Sequence, residues 1–149
     1  MKRMHIHVGV SDLDRSIGFY SSLFGAGPTV RHPDYAKWML EEPRVNFAIS
    51  THAARGIEHV GIEVESDADL ADVGTRLHGA GEPVMPEAST TCCYAHSSKN
   101  WTRDPDGVIW ETFLTRGQAT SYGARPADAV VGTTPAGAEE VRTSTACCG

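Results

Sequence analysis

Two βαβββ modules curled into one cupped mixed sheet, an α+β fold, are what this sequence predicts, on three observations. The opening segment returns 54 residues later, period-two strands alternate with helical patterns, and turn residues punctuate both halves at matching places. In the repeat, Met4-His5-Ile6-His7-Val8-Gly9-Val10-Ser11-Asp12 resembles Glu58-His59-Val60-Gly61-Ile62-Glu63-Val64-Glu65-Ser66-Asp67. Each copy has a histidine five residues before a valine, and Ser-Asp follows.

The first strand places Ile6, Val8 and Val10 on one face and His5 and His7 on the other. Ser11 is expected to cap the first helix, with Asp14 as its acidic partner. Leu13, Ile17, Tyr20 and Phe24 follow at helical spacing, and Gly25 ends the helix. Strands over 35–40 and 45–50 flank the turn Glu41-Glu42-Pro43-Arg44. The second module then begins again. Val60, Ile62 and Val64 share one face; His59, Gly61 and Glu63 share the other. Ser66 or Asp67 caps its helix, whose apolar residues are Leu70, Val73 and Leu77, before Gly79 and Gly81. Strands over 95–102 and 108–113 flank Asp104-Pro105-Asp106-Gly107. Gly81, Pro83, Pro86 and the Ser-Thr-Thr run predict a mobile loop over 86–98, folded back over the cup.

The modules therefore span about 1–52 and 56–114, forming one domain over 1–114. From Thr115 onward the chain has no Leu, Ile, Met, Phe or Trp. Rich in Ala, Thr, Gly and Pro, the segment 115–149 is expected to be a flexible tail ending in Cys147-Cys148. Lys and Arg total 13 against 19 Asp and Glu, a net charge of −6, which disfavours nucleic acid as a partner. No apolar run approaches the ~20 residues of a membrane span. Without a signal-peptide pattern at Met1-Lys2-Arg3, a cytoplasmic location is expected. Modules of this kind can be completed within a chain or swapped between chains, so a homodimer is a candidate assembly.

Period-two reasoning places His5, His59 and Glu111 on comparable faces of well-separated strands. In the first module Ala48 stands where Glu111 stands in the second. A carboxylate on the cup face is costly to bury alone and calls for a cation. Two imidazoles and a carboxylate with open positions suit non-haem Fe(II) oxygen chemistry, and also catalytic zinc. His7 shares the face of His5 but lacks a counterpart in the repeat, so it is read as a cup-lining polar group. The adjacent pairs Cys92-Cys93 and Cys147-Cys148 are too close for an unstrained disulfide and suit a soft ligand instead.

The segment from His5 to Tyr20, with Asp104-Pro105-Asp106-Gly107 and Trp110-Glu111, resembles the vicinal oxygen chelate superfamily, the glyoxalase/bleomycin-resistance/dioxygenase fold. The segments 33–40 and 44–50 and Thr90-Thr91-Cys92-Cys93-Tyr94-Ala95 resemble ArsI-type carbon–arsenic lyases and the related cadmium-induced CadI proteins. The resemblance covers roughly 3–114. It implies an Fe(II)-dependent dioxygenase with O2 as co-substrate, cleaving the C–As bond of trivalent organoarsenicals such as methylarsenite to release arsenite and formaldehyde. Carried over by position, His5, His59 and Glu111 would hold the iron, and Cys92 and Cys93 the arsenic. Other divalent metals could occupy the same ligands. Candidate pocket residues are His7, Tyr94, His96 and Lys99, although a loop histidine and an exposed lysine are the ordinary readings of the last two. Cys147 and Cys148 are candidate auxiliary thiols. The competing functions are a CadI-like cadmium- or arsenite-binding protein without turnover, and another enzyme of the glyoxalase type.

Overall fold

The computed structural model describes residues 2–123. In chain order the elements are β1 (Arg3–Gly9), α1 (Leu13–Phe24), β2 (Val30–His32), β3 (Tyr35–Glu41) and β4 (Arg44–Ser50), then β5 (Gly56–Glu63), α2 (Asp67–Gly79), β6 (Met85–Cys92), β7 (Ala95–Arg103) and β8 (Ile109–Gln118). The strands form one mixed sheet in the order β2-β3-β4-β1-β5-β8-β7-β6. Its two halves have the same topology. In each, the first strand pairs parallel with the last, and the middle strands continue antiparallel outward. The halves join where β1 and β5 pair antiparallel.

The two faces of β1 serve two purposes, as its alternation requires. Ile6, Val8 and Val10 pack with Leu13, Ile17, Tyr20 and Phe24 of α1 onto a buried cluster of Ala36, Trp38, Phe47 and Ile49. Burial of each such large side chain contributes about 1.5–3 kcal/mol. Consequently His5 and His7 face the cup, where both are almost fully buried.

The 54-residue repeat extends into the helix caps, though not at Ser11. Asp12 caps α1, its Oδ1 accepting from Arg15 N at 2.9 Å, and Ser66 caps α2 by accepting from Asp69 N at 3.1 Å. Gly25 ends α1 with φ 67°, in the left-handed region expected of it.

The expected loop over 86–98 is instead the β6–β7 hairpin, closed by Cys93 and Tyr94 alone. Pro86 is tolerated because β6 is an edge strand. A register shift between Glu87 and Thr90, and another between His96 and Ser97, interrupt the ladders on either side of β7. Bulges of this kind bend strands and increase their twist. They account for how Cys92 and Cys93 return to the cup, which no straight strand would allow. At the next turn, Asp104 Oδ1 accepts from Asp106 N and Val108 N, holding Val108 out of the ladder. Glu111 accordingly faces Trp101 rather than residue 100.

β8 continues to Gln118, beyond the boundary expected at 114. The second bulge carries the β7–β8 pairing on to Ala95 opposite Gln118, and backbone pairing needs no apolar side chains. Ala119 N then donates to Tyr94 O at 2.8 Å, and Gly123 bridges to Cys92. The rest of the expected tail lies outside the described residues.

Gly61 sits between His5 and Glu111 in the ladder, and a Cβ there would overlap the Glu111 carbonyl oxygen. Gly61→Val is expected to destabilise by about 2 kcal/mol through overpacking. Thermal unfolding tests this, and an unchanged Tm would show that β5 and β8 can part at no cost.

Candidate metal centre and dithiol

The pairing register brings His5, His59 and Glu111 together. His7 lies opposite His59, His5 opposite Gly61, and Gly61 opposite Glu111. His5 Nε2 and His59 Nε2 stand 3.2 Å apart, and Glu111 Oε2 lies 3.7 and 3.4 Å from them. All three residues are buried. Phe113 meets the His5 ring edge-on and Trp101 meets that of His59, at centroid separations of 5.1 and 5.3 Å.

Surrounding groups fix the ligand orientations. His5 Nδ1 donates to the Asn46 carbonyl oxygen at 3.0 Å, which leaves the Nε2 lone pair aimed at the cluster. Glu58 Oε2 lies 3.6 Å from His59 Nδ1 and 2.9 Å from His7 Nδ1. His7 Nε2 lies 3.0 Å from Ser50 Oγ. Lys99 Nζ forms an ion pair with Glu111 Oε1, the oxygen turned away from the imidazoles.

These contacts polarise the cluster. Burial, the largest influence, drives the His5 pKa down to about 3. Burial also opposes charge on His59, but the neighbouring Glu111 and Glu58 carboxylates outweigh it and raise the pKa to about 9. Burial alone would raise the Glu111 pKa, yet the charge of Lys99 and the two imidazoles hold it far below the usual carboxylate range. One neutral imidazole, one carboxylate and a proton between them mark a place shaped for a cation. The donor set fits a first-row divalent metal, with Glu111 offering one oxygen because Lys99 occupies the other.

Lys99 is therefore buried at the cavity, and the exposed reading of it is corrected. Its ammonium also lies 5.4 Å from the Trp101 ring centroid and 5.7 Å from that of Phe113. Lys99→Met is expected to cost about 3 kcal/mol or more in metal-free protein, because it strands the Glu111 carboxylate. Added Zn(II) should recover much of that loss by replacing the missing charge. Equal losses of Tm with and without zinc would contradict this role.

The two thiols face the same cavity, whose walls include His5, His7, His59, Glu111, Lys99 and Tyr35. Cys92 Sγ and Cys93 Sγ are 3.1 Å apart. Cys92, hydrogen-bonded to its neighbour and buried, is pushed up, whereas Cys93 falls below the ordinary thiol range because Cys92 stabilises its thiolate. The pair thus holds one proton between two sulfurs, a reactive arrangement for a soft electrophile.

Two other candidates lie elsewhere. Tyr94 is absent from the cavity wall, its hydroxyl donating to Asp34 Oδ1 at 2.7 Å. His96 is exposed and bonds Thr91 Oγ1 at 2.9 Å, because it occupies the outward face of β7. Cys147 and Cys148 lie outside the described residues.

Sequence reasoning missed Glu58, since strict alternation puts it opposite His59. The β1–β5 register shift leaves Glu58 as the extra residue and re-aims its side chain. Tyr122 was missed because it falls in the expected tail; its hydroxyl donates to Ser50 Oγ at 3.2 Å. The burial of Lys99 had a legible signal, its alternation with Ser97 and Trp101.

Paired βαβββ modules around two histidines and a carboxylate define a class of metal-centred proteins. The chain belongs to the Glyoxalase/Bleomycin resistance protein/Dioxygenase superfamily, whose family profile matches residues 2–112. It is 42% identical over 120 residues to the trivalent organoarsenical cleaving enzyme of Bacillus sp. (strain MD1), covering 78% of this chain and 74% of that protein. Cadmium-induced protein CadI of Mycobacterium bovis is 33% identical over 128 residues, covering 85% of this chain and 84% of that one. Among solved structures, the 2,3-dioxygenase LapB from Pseudomonas sp. KL28 superposes with a TM-score of 0.61 at 19% identity, over 83% of this chain and 44% of that one, a likeness of fold alone. No described helix is long and apolar enough to cross a membrane.

Proposed function

We propose that the chain is an Fe(II)- and O2-dependent carbon–arsenic lyase that converts methylarsenite to arsenite and formaldehyde. The carrying observation is that an adjacent dithiol and a His5/His59/Glu111 cluster line one cavity. The organoarsenical cleaving enzyme of Bacillus, with its 42% identity, supports the substrate class. The overall change, CH3As(OH)2 + O2 → As(OH)3 + HCHO, balances without a further reductant.

Cys92 and Cys93 replace the two arsenic hydroxyls, forming two As–S bonds and releasing two waters. Chelation by neighbours fixes the arsenic and leaves only its carbon substituent to project into the cavity. His5, His59 and Glu111 would hold Fe(II), which supplies the redox chemistry that activates O2. Lys99 keeps Glu111 to a single ligand oxygen, Glu58 orients His59, and Asn46 orients His5. The aromatic walls of Phe113 and Tyr35 keep bulk water from the reacting carbon. The cavity volume is about 40 Å³, room for a methyl substituent.

Metal and oxygen dependence test the reading. Metal-free protein reloaded with Fe(II) should release arsenite in air and none under argon, whereas Zn(II)-loaded protein should be inactive. Arsenite release by the zinc form, or without oxygen, would refute an oxidative cleavage.

A further inference from the structure

We propose that Tyr94 is a positioning residue, whose hydroxyl, anchored on Asp34, holds the turn that aims Cys92 and Cys93 into the cavity. The inference rests on the reading of these thiols as arsenic ligands.

Cys93 and Tyr94 have φ values of 55° and 60°. Two-residue hairpin turns with both central residues left-handed favour Asn and Gly, and a Cβ at either position is a cost. Here both residues carry large side chains, so neighbouring structure must hold the turn in place. Tyr94 provides the hold. Its ring stacks on His32 at 3.6 Å with an interplanar angle of 9°, and its hydroxyl donates to Asp34 Oδ1 at 2.7 Å. The other Asp34 oxygen accepts from His52 Nε2 at 2.6 Å. The His52 ring lies 4.0 Å from that of Tyr122, whose hydroxyl is fixed on Ser50.

His32, Asp34 and His52 precede β5, whereas Tyr94 follows it, so the anchor ties the tip of the β6–β7 hairpin across the cup to the first module. Among the described residues β6 is the edge strand of the sheet, with the Gly123–Cys92 bridge at its end. Tyr94 does not line the cavity, so any effect on arsenic passes through the turn. Without the anchor the turn relaxes, and both sulfurs must be reordered when arsenic binds. Preorganisation of this kind appears as affinity.

The test uses the full-length, metal-free chain with Cys147→Ser and Cys148→Ser, titrated with inorganic arsenite and followed by sulfur–arsenic absorbance in the near ultraviolet. Tyr94→Phe, which keeps the ring, and Asp34→Ala should each weaken binding roughly tenfold, the scale of one hydrogen bond to a charged group. The double variant should lose no more than Asp34→Ala alone, since both break the Tyr94–Asp34 bond. Co(II) affinity at the histidine–carboxylate cluster should stay unchanged, which separates a local effect from general damage. Parental arsenite affinity in Tyr94→Phe, additive losses in the double variant, or an equal fall in Co(II) affinity would overturn the role of Tyr94. Absence of any Cys92-dependent arsenite signal in the parent would overturn the thiol reading beneath it.

Discussion

Cys92→Ser and Cys93→Ser are each expected to weaken methylarsenite capture by roughly 10²–10⁴-fold, the gain a second tethered arm provides. The sulfurs stand 3.1 Å apart on one turn, so once one has bonded to arsenic the other needs no further search. Serine keeps the size and loses the softness that trivalent arsenic requires. The two variants should differ in how they fail. Cys93 holds the thiolate, so Cys93→Ser should slow the first As–S bond more than Cys92→Ser does, while either leaves the product weakly held. Because the Cys93 pKa is depressed, capture by the parent should reach its plateau at a lower pH than an ordinary thiol with pKa near 8.5 would give. Titration and stopped-flow absorbance read both quantities. Metal affinity should not move. Two serine variants that bind methylarsenite as tightly as the parent would remove the dithiol from the mechanism.

Glu111→Ala should lower Fe(II) affinity at least a hundredfold and abolish turnover, while arsenic capture persists. The cluster has three converging ligand atoms, and loss of the carboxylate leaves two neutral imidazoles and a buried lysine whose charge repels the metal. Lys99 therefore complicates the single substitution, since an unpaired buried ammonium costs several kcal/mol. The pair Glu111→Gln with Lys99→Met removes both charges together and should restore Tm without restoring metal. Equilibrium dialysis against Fe(II), with Tm measured in parallel, distinguishes a lost ligand from a lost fold. Fe(II) bound normally by the double variant would exclude Glu111 as a ligand.

Much of this architecture could be read from residue order. The repeat of His5 at His59 gave the paired modules, and alternation gave the cup face of both, because strand periodicity is local. Gly25 and Ser66 ended and began helices where their chemistry requires. What stayed hidden depends on breaks in that periodicity. Register shifts flanking β7 curl the hairpin that brings the thiols home, and one between β1 and β5 turns Glu58 toward His59. A bulge leaves little trace in composition. Lys99 and Tyr122 were misjudged for a related reason. Lysine and a Gly/Ala/Thr-rich context both signal exposure on average, but here a buried carboxylate holds the one and the Ser50 hydroxyl the other.

The intact histidine–carboxylate cluster favours an enzyme over a sequestering protein, since holding a soft ion needs the dithiol alone. The fate of the carbon–arsenic bond over many turnovers decides between them. Fe(II)-loaded protein in air, given excess methylarsenite and analysed by arsenic speciation, should release arsenite and formaldehyde in equal amounts, many per iron, with one O2 consumed for each. Methylarsenite recovered intact, at one equivalent per dithiol and with no oxygen uptake, would contradict the lyase and leave a metalloid-binding protein.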